Sequence, residues 1–183
     1  MKFIIYNFYY LEPSAPTVTL NTQTVDSITI DFGQSSTTTS FKGCIRKTDA
    51  TCTPGTITSS HQFPSLEACT EYIVEVIAVH QNLYSTTTTK NFYTASASPA
   101  FTTSQTKNSI TIIFADTTCT GTKLFKACAD KSSNAGCSSL ATVTSPHTFP
   151  NLDSSEQYTI KLQEIYEGVE STITSNNEYT GKY

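Results

Sequence analysis

Six cysteines are the residues whose type and spacing carry most of the chemistry in this 183-residue chain. Cys44 and Cys52 stand as C-x7-C, and Cys128 and Cys137 as C-x8-C. Neither spacing fits a common zinc pattern, in which the sulfurs come from shorter turns. An even count, a repeated pair and sparse charge point to oxidised cysteines in a secreted or cell-surface protein; the alternative is free buried thiols in a cytosolic one. The bridges expected are Cys44–Cys52 and Cys128–Cys137, with no metal and no other cofactor.

The remaining reactive side chains do not assemble into a catalytic pattern. His61 and His147 occupy matching positions, in HQFP and HTFP, but neither copy supplies further ligands or a nucleophile. A structural role beside a Phe-Pro corner is expected for both. His80 stands alone. The carboxylates are too scattered to nominate an acid/base pair. There is no Gly-rich phosphate loop and no G-x-S-x-G, and no serine sits in a nucleophile context. The chain is therefore expected not to be an enzyme.

The elements that position these residues come from an internal repeat. Residues 66–79 (LEACTEYIVEVIAV) return as residues 152–165 (LDSSEQYTIKLQEI). In each copy a leucine, Leu66 or Leu152, precedes a tyrosine, Tyr72 or Tyr158, that opens an alternating strand. Tyr72, Val74, Val76 and Ala78 share one face of a period-two ribbon, as do Tyr158, Ile160 and Leu162. A tyrosine so placed can fill a core while its hydroxyl reaches back to the preceding loop. Upstream, residues 26–32 (DSITIDF) and 109–114 (SITIIF) alternate as strands. Residues 41–47 (FKGCIRK) and 124–130 (LFKACAD) form the next pair. Phe41, Gly43 and Ile45 share one face there, which leaves Cys44 and Cys128 on the opposite, solvent-directed side. No helical period appears. Seven short strands per copy, separated by polar turns, read as an all-β protein of two sandwiches.

Each copy resembles a fibronectin type III module over nearly the whole chain after residue 13. The markers are the Pro-containing start, the S-I-T-I strand, the aromatic residue opening the third strand, and L-x5-Y-x-hydrophobic-x-hydrophobic. Two departures stand out. Phe32 and Phe114 occupy the place where the family usually carries Trp, and each copy has a cysteine pair where the family usually lacks disulfides. The resemblance implies two tandem seven-stranded, immunoglobulin-like sandwiches, at residues 14–95 and 96–183. Residues 1–13 are read as a leader or the start of a fragment. It also implies adhesion, receptor or matrix recognition of a protein ligand.

Cys69 and Cys119 have no counterpart in the other copy. Cys69 lies in the turn before the Tyr72 strand, and Cys119 in the turn between the second and third strands of the second copy. In an up-and-down count of strands, both turns fall at the linker (residues 95–98, ASAS). A Cys69–Cys119 bridge that fixes the two modules as one rod is expected; the alternatives are two free thiols or a bond to another chain. Ile73 and Ile77 face away from Tyr72 and Val76, and mark either a contact surface or residues covered by neighbouring side chains. Glu164 falls at an inward position, where the first copy has Ala78, and is read as lining the rim or sitting at a bulge.

A formal net charge of −4 with scattered Lys and Arg argues against nucleic acid. No stretch is long and apolar enough to span a bilayer. No N-x-S/T sequon or RGD is present, while runs such as SSTTTS and TTTT suit O-glycans. The function expected is a non-catalytic, extracellular protein-binding module pair. The alternatives are a secreted effector that binds and blocks another protein, or accessory modules of a larger receptor or enzyme.

Overall fold

The structure is a computed structural model, and it describes residues 11–33, 38, 40–132, 137 and 139–181. The leader region at residues 1–10 lies outside the described residues. All regular structure among the described residues is β, and no helix is long and apolar enough to cross a membrane.

The chain packs as two compact units. The first holds Met1–Thr22, Ile28–Phe63 and Glu71–Phe92; the second holds Gln23–Ser27, Pro64–Thr70 and Tyr93–Tyr183. In chain order the first repeat contributes β1 (Val18–Gln23), β2 (Ile28–Phe32), β3 (Ser40–Arg46), β4 (Gly55–Ile57), β5 (Ser60–Phe63), β6 (Glu71–His80), β7 (Leu83–Tyr84) and β8 (Thr88–Tyr93). They form a three-stranded sheet, β1-β2-β5, and a five-stranded sheet, β4-β3-β6-β7 with β8 also on β6. The second repeat contributes β9 (Phe101–Gln105), β10 (Ile110–Phe114), β11 (Lys123–Lys131), β12 (Ala141–Val143), β13 (His147–Phe149), β14 (Gln157–Tyr166), β15 (Val169–Glu170) and β16 (Thr174–Tyr179). Its sheets are β13-β10-β9 and β12-β11-β14-β15 with β16 also on β14.

Alternation explains why these segments become strands. Along β2, Ile28, Ile30 and Phe32 are buried while Thr29 and Asp31 are partly exposed. Along β6, Tyr72, Val74, Val76 and Ala78 point inward. Removing such side chains from water contributes on the order of 1.5–3 kcal/mol each. Phe32 packs edge-on against Phe41 at 4.7 Å between ring centroids, and Phe114 packs against Phe125 at the same separation. Gly43 leaves little room: a Cβ there would lie 2.5 Å from Cδ1 of Ile57 and 3.1 Å from the carbonyl oxygen of Glu75, so the Ile57 side chain would have to shift.

The last strand of each repeat is split. The two-residue turns at Gln81-Asn82 (φ 46° and 68°) and Glu167-Gly168 (φ 47° and 82°) have the positive dihedrals of a type I′ hairpin. After two paired residues the chain leaves the ladder at Ser85 and Ser171, whose hydroxyls accept the N–H of Ala78 and Glu164 at 3.0 Å. Each hydroxyl then donates to the next carbonyl, Thr86 O or Thr172 O.

Candidate functional site

The outer face of β3 and β6 is the surface that the sequence singles out. In the antiparallel register Lys42 faces Ile77, Cys44 faces Glu75 and Arg46 faces Ile73. Directly opposed side chains on one face of a ladder touch. Arg46 Nε donates to Glu75 Oε1 at 2.8 Å, and Lys42 Nζ lies 5.2 Å from the centre of the exposed Tyr84 ring. Ile73 and Ile77 are half-buried, neither fully open nor covered. The face thus has apolar positions bordered by one ion pair and one cation–aromatic pair.

Cys44 is bonded to Cys52, with Cα atoms 6.0 Å apart. It lies on the outer side of β3, yet it is only 7% exposed. The reason is local: the Arg46 guanidinium donates to the carbonyls of Thr48 and Ala50, both at 3.2 Å, and folds the loop carrying Cys52 back onto the strand. Cys128 is bonded to Cys137, with Cα atoms 6.1 Å apart, and is half-buried. Cys69 and Cys119 are also bonded, at a Cα separation of 5.5 Å, and both belong to the second unit.

The two corner tyrosines are buried, Tyr72 at 6% and Tyr158 at 5% exposure. The N–H of Asp153 donates to the Tyr158 hydroxyl at 2.9 Å. Leu66 and Leu152 are half-buried, and their N–H groups donate to Asp26 O and Asn108 O, respectively. Thr94 and Thr180 complete the matching loops. Thr94 donates to Glu67 O and Thr180 to Asp153 O, each at 2.6 Å.

His61 and His147 each pack edge-on against the phenylalanine two residues on, at 4.7 Å and 77°. His80 has a buried Nδ1 with no hydrogen-bond partner among the described residues. Glu164 is not at an exposed rim, and the ladder irregularity beside it lies on the partner side of β14, at Ser171. It is fully buried and sits in regular register opposite Phe125. Its Oε1 accepts from the Thr117 hydroxyl at 2.8 Å. A carboxylate fits there because the 115–122 loop brings that donor; Lys123 Nζ holds Thr117 O at 3.2 Å, and Tyr166 donates to Thr120 O at 2.9 Å. The half-buried Lys131 donates to Asp153 at 2.6 Å, which raises the lysine pKa above its ordinary value.

One set of donors has metal-ligand character among the described residues, namely Cys44, Cys52 and Glu75. As folded, its two sulfurs are bonded to each other.

The chain matches no protein-family model and no curated protein sequence. Solved structures do resemble it. A two-domain fibronectin type III segment from chicken tenascin is 17% identical, with a TM-score of 0.50, over 90% of this chain and 99% of that one. The FN1–FN3 domains of chicken CNTN1 are 13% identical, with a TM-score of 0.50, over 93% of this chain and 69% of that one. The fold is that of tandem fibronectin type III domains. In both repeats the sequence marks the tyrosines and cysteines, but not Ser85 and Ser171 or Thr94 and Thr180. Each pair occupies matching positions of the two repeats, so aligning the copies residue by residue is the signal that reveals them.

Proposed function

We propose that this chain is a non-catalytic protein-binding module pair that works outside the cell as an adhesion or receptor-type element. The observation that carries the reading is the outer β3–β6 face. Ile73 and Ile77 stand there half-buried between Lys42–Tyr84 and Arg46–Glu75. An apolar centre with a polar, charged border is the anatomy of a protein–protein contact. Three disulfides suit an oxidising compartment, which supports the extracellular placement. The interiors are filled by strand side chains, and the strands leave edges and faces as the surface available to a partner.

The test is affinity capture with the folded, oxidised chain, from extracellular fluid and from cell surfaces, followed by titration of the captured protein. Saturable binding is expected. The Ile73→Glu, Ile77→Glu double variant is expected to bind at least about tenfold more weakly, as central apolar contacts dominate interface energies. Unchanged affinity in a variant with unchanged circular dichroism would remove this face from the function.

A further inference from the structure

The first unit holds a group of which the binding reading uses only Glu75. Cys44, Cys52 and Glu75 each offer one ligand atom, and these atoms lie within 4.8 Å of one another. Glu75 stands opposite Cys44 across the β3–β6 ladder, so the carboxylate rises beside the sulfur on the same face. The second unit has a corresponding cysteine pair, with Cys128 on β11, but Lys161 stands opposite Cys128. The two pairs therefore differ in their third group, a carboxylate in one and an ammonium in the other.

We propose that reduction of the Cys44–Cys52 bridge opens a site for one thiophilic divalent cation, Zn²⁺ or Cd²⁺. The ligands are the thiolates of Cys44 and Cys52 and the carboxylate of Glu75. Thiolate and carboxylate donors suit these ions, and the three leave a fourth position for water. A tetrahedral site needs its sulfurs about 3.8 Å apart, from Zn–S bonds of about 2.3 Å. The Cα separation of 6.0 Å permits that spread. The geometry also survives loss of the S–S bond, because Arg46 holds the Cys52 loop through the carbonyls of Thr48 and Ala50. The same guanidinium fixes the carboxylate of Glu75 at 2.8 Å, as a supporting hydrogen bond does for a metal ligand. Two thiolates and a divalent cation sum to zero charge, and Arg46 with Glu75 does likewise, so the site carries no net charge while Cys44 stays largely away from water.

The chemistry balances in two steps. A dithiol reduces the bridge, giving two cysteine thiols and its own cyclic disulfide. The cation then displaces two protons from the thiols as it forms two metal–sulfur bonds.

The experiment uses the full chain, reduced with a phosphine under argon and titrated with Cd²⁺ alone. The readouts are thiolate-to-cadmium absorption and proton release. One equivalent is expected to bind at least about tenfold more tightly than any later one, releasing two protons. The Cys128→Ser, Cys137→Ser variant should keep that equivalent, and the Cys44→Ser, Cys52→Ser variant should lose it. Glu75→Gln, which leaves every cysteine in place, should weaken it by at least about tenfold. Tight binding that persists in the Cys44→Ser, Cys52→Ser variant overturns the proposal. So does equal affinity in Glu75→Gln or in the oxidised protein. A reduced chain that loses its β-sheet circular dichroism and does not regain it with cadmium overturns it as well.

Discussion

The backbone N–H of Asp153 donates a 2.9 Å hydrogen bond to the phenolic oxygen of Tyr158, five residues further along the chain. The ring of Tyr158 is buried in the second core, so this bond fastens the loop before β14 to the strand itself. Tyr158→Phe keeps the ring and removes the acceptor. It is expected to cost on the order of 1 kcal/mol of stability, the usual net value of one hydrogen bond. Tyr72→Phe, at the matching buried position of the first repeat, is expected to cost a similar amount. Urea unfolding of the two variants checks this; a loss below about 0.3 kcal/mol for Tyr158→Phe would deny the hydroxyl its role.

Glu164 tests how a buried carboxylate is tolerated. One oxygen accepts from Thr117, and Oε2 has no hydrogen-bond partner among the described residues. Thr117→Val removes the donor and should destabilise by about 1–3 kcal/mol, the penalty for a buried polar group left unsatisfied. Adding Glu164→Met should recover most of that loss, since an apolar side chain of similar size needs no donor. A double-mutant cycle by denaturant unfolding measures the coupling, and purely additive losses would show that the pair does not interact.

A side chain at Gly43 fits only if the tip of Ile57 moves aside. The second repeat has Ala127 at the matching position, and there the alanine is buried without difficulty. Gly43→Val should therefore destabilise the first unit by about 1–3 kcal/mol through overpacking. Gly43→Val combined with Ile57→Ala should recover part of the loss. Thermal unfolding of both variants decides; an undiminished melting temperature in Gly43→Val would mean that β4 moves aside freely.

The Cys69–Cys119 bridge closes a longer stretch of chain than the other two, with a sequence separation of 50 against 8 and 9. In the chain-entropy account it stabilises by about 4 kcal/mol, against about 2.5 kcal/mol for each short loop. The Cys69→Ser, Cys119→Ser variant should thus lose more stability in guanidinium than Cys44→Ser, Cys52→Ser. Non-reducing peptide mapping of the unaltered chain should recover all three bridges and no free thiol. An equal or smaller loss for the longer loop would show that its native contacts, and not the unfolded chain, set its contribution.

Local chemistry alone determined the architecture. Period-two alternation in 26–32, 71–79 and 109–114, with a tyrosine after each upstream leucine, specifies which face of each strand is buried. Burial of those faces is what forms two sandwiches. That reasoning is local, because alternation depends only on neighbouring residues and on water. Other features were decided by contacts that form only in the folded chain. Glu164 is buried because Thr117, in a loop 47 residues away, supplies a hydroxyl. Cys44 is covered because Arg46 draws its loop back over an outward-facing position. Ile73 and Ile77 are half-shielded because Lys42 and Arg46 stand opposite them in the β3–β6 register. The last strands break because Ser85 and Ser171 each replace a ladder partner with a hydroxyl. In each case a side chain meets a neighbour that only the folded chain brings into contact, and no periodicity along the sequence encodes that meeting.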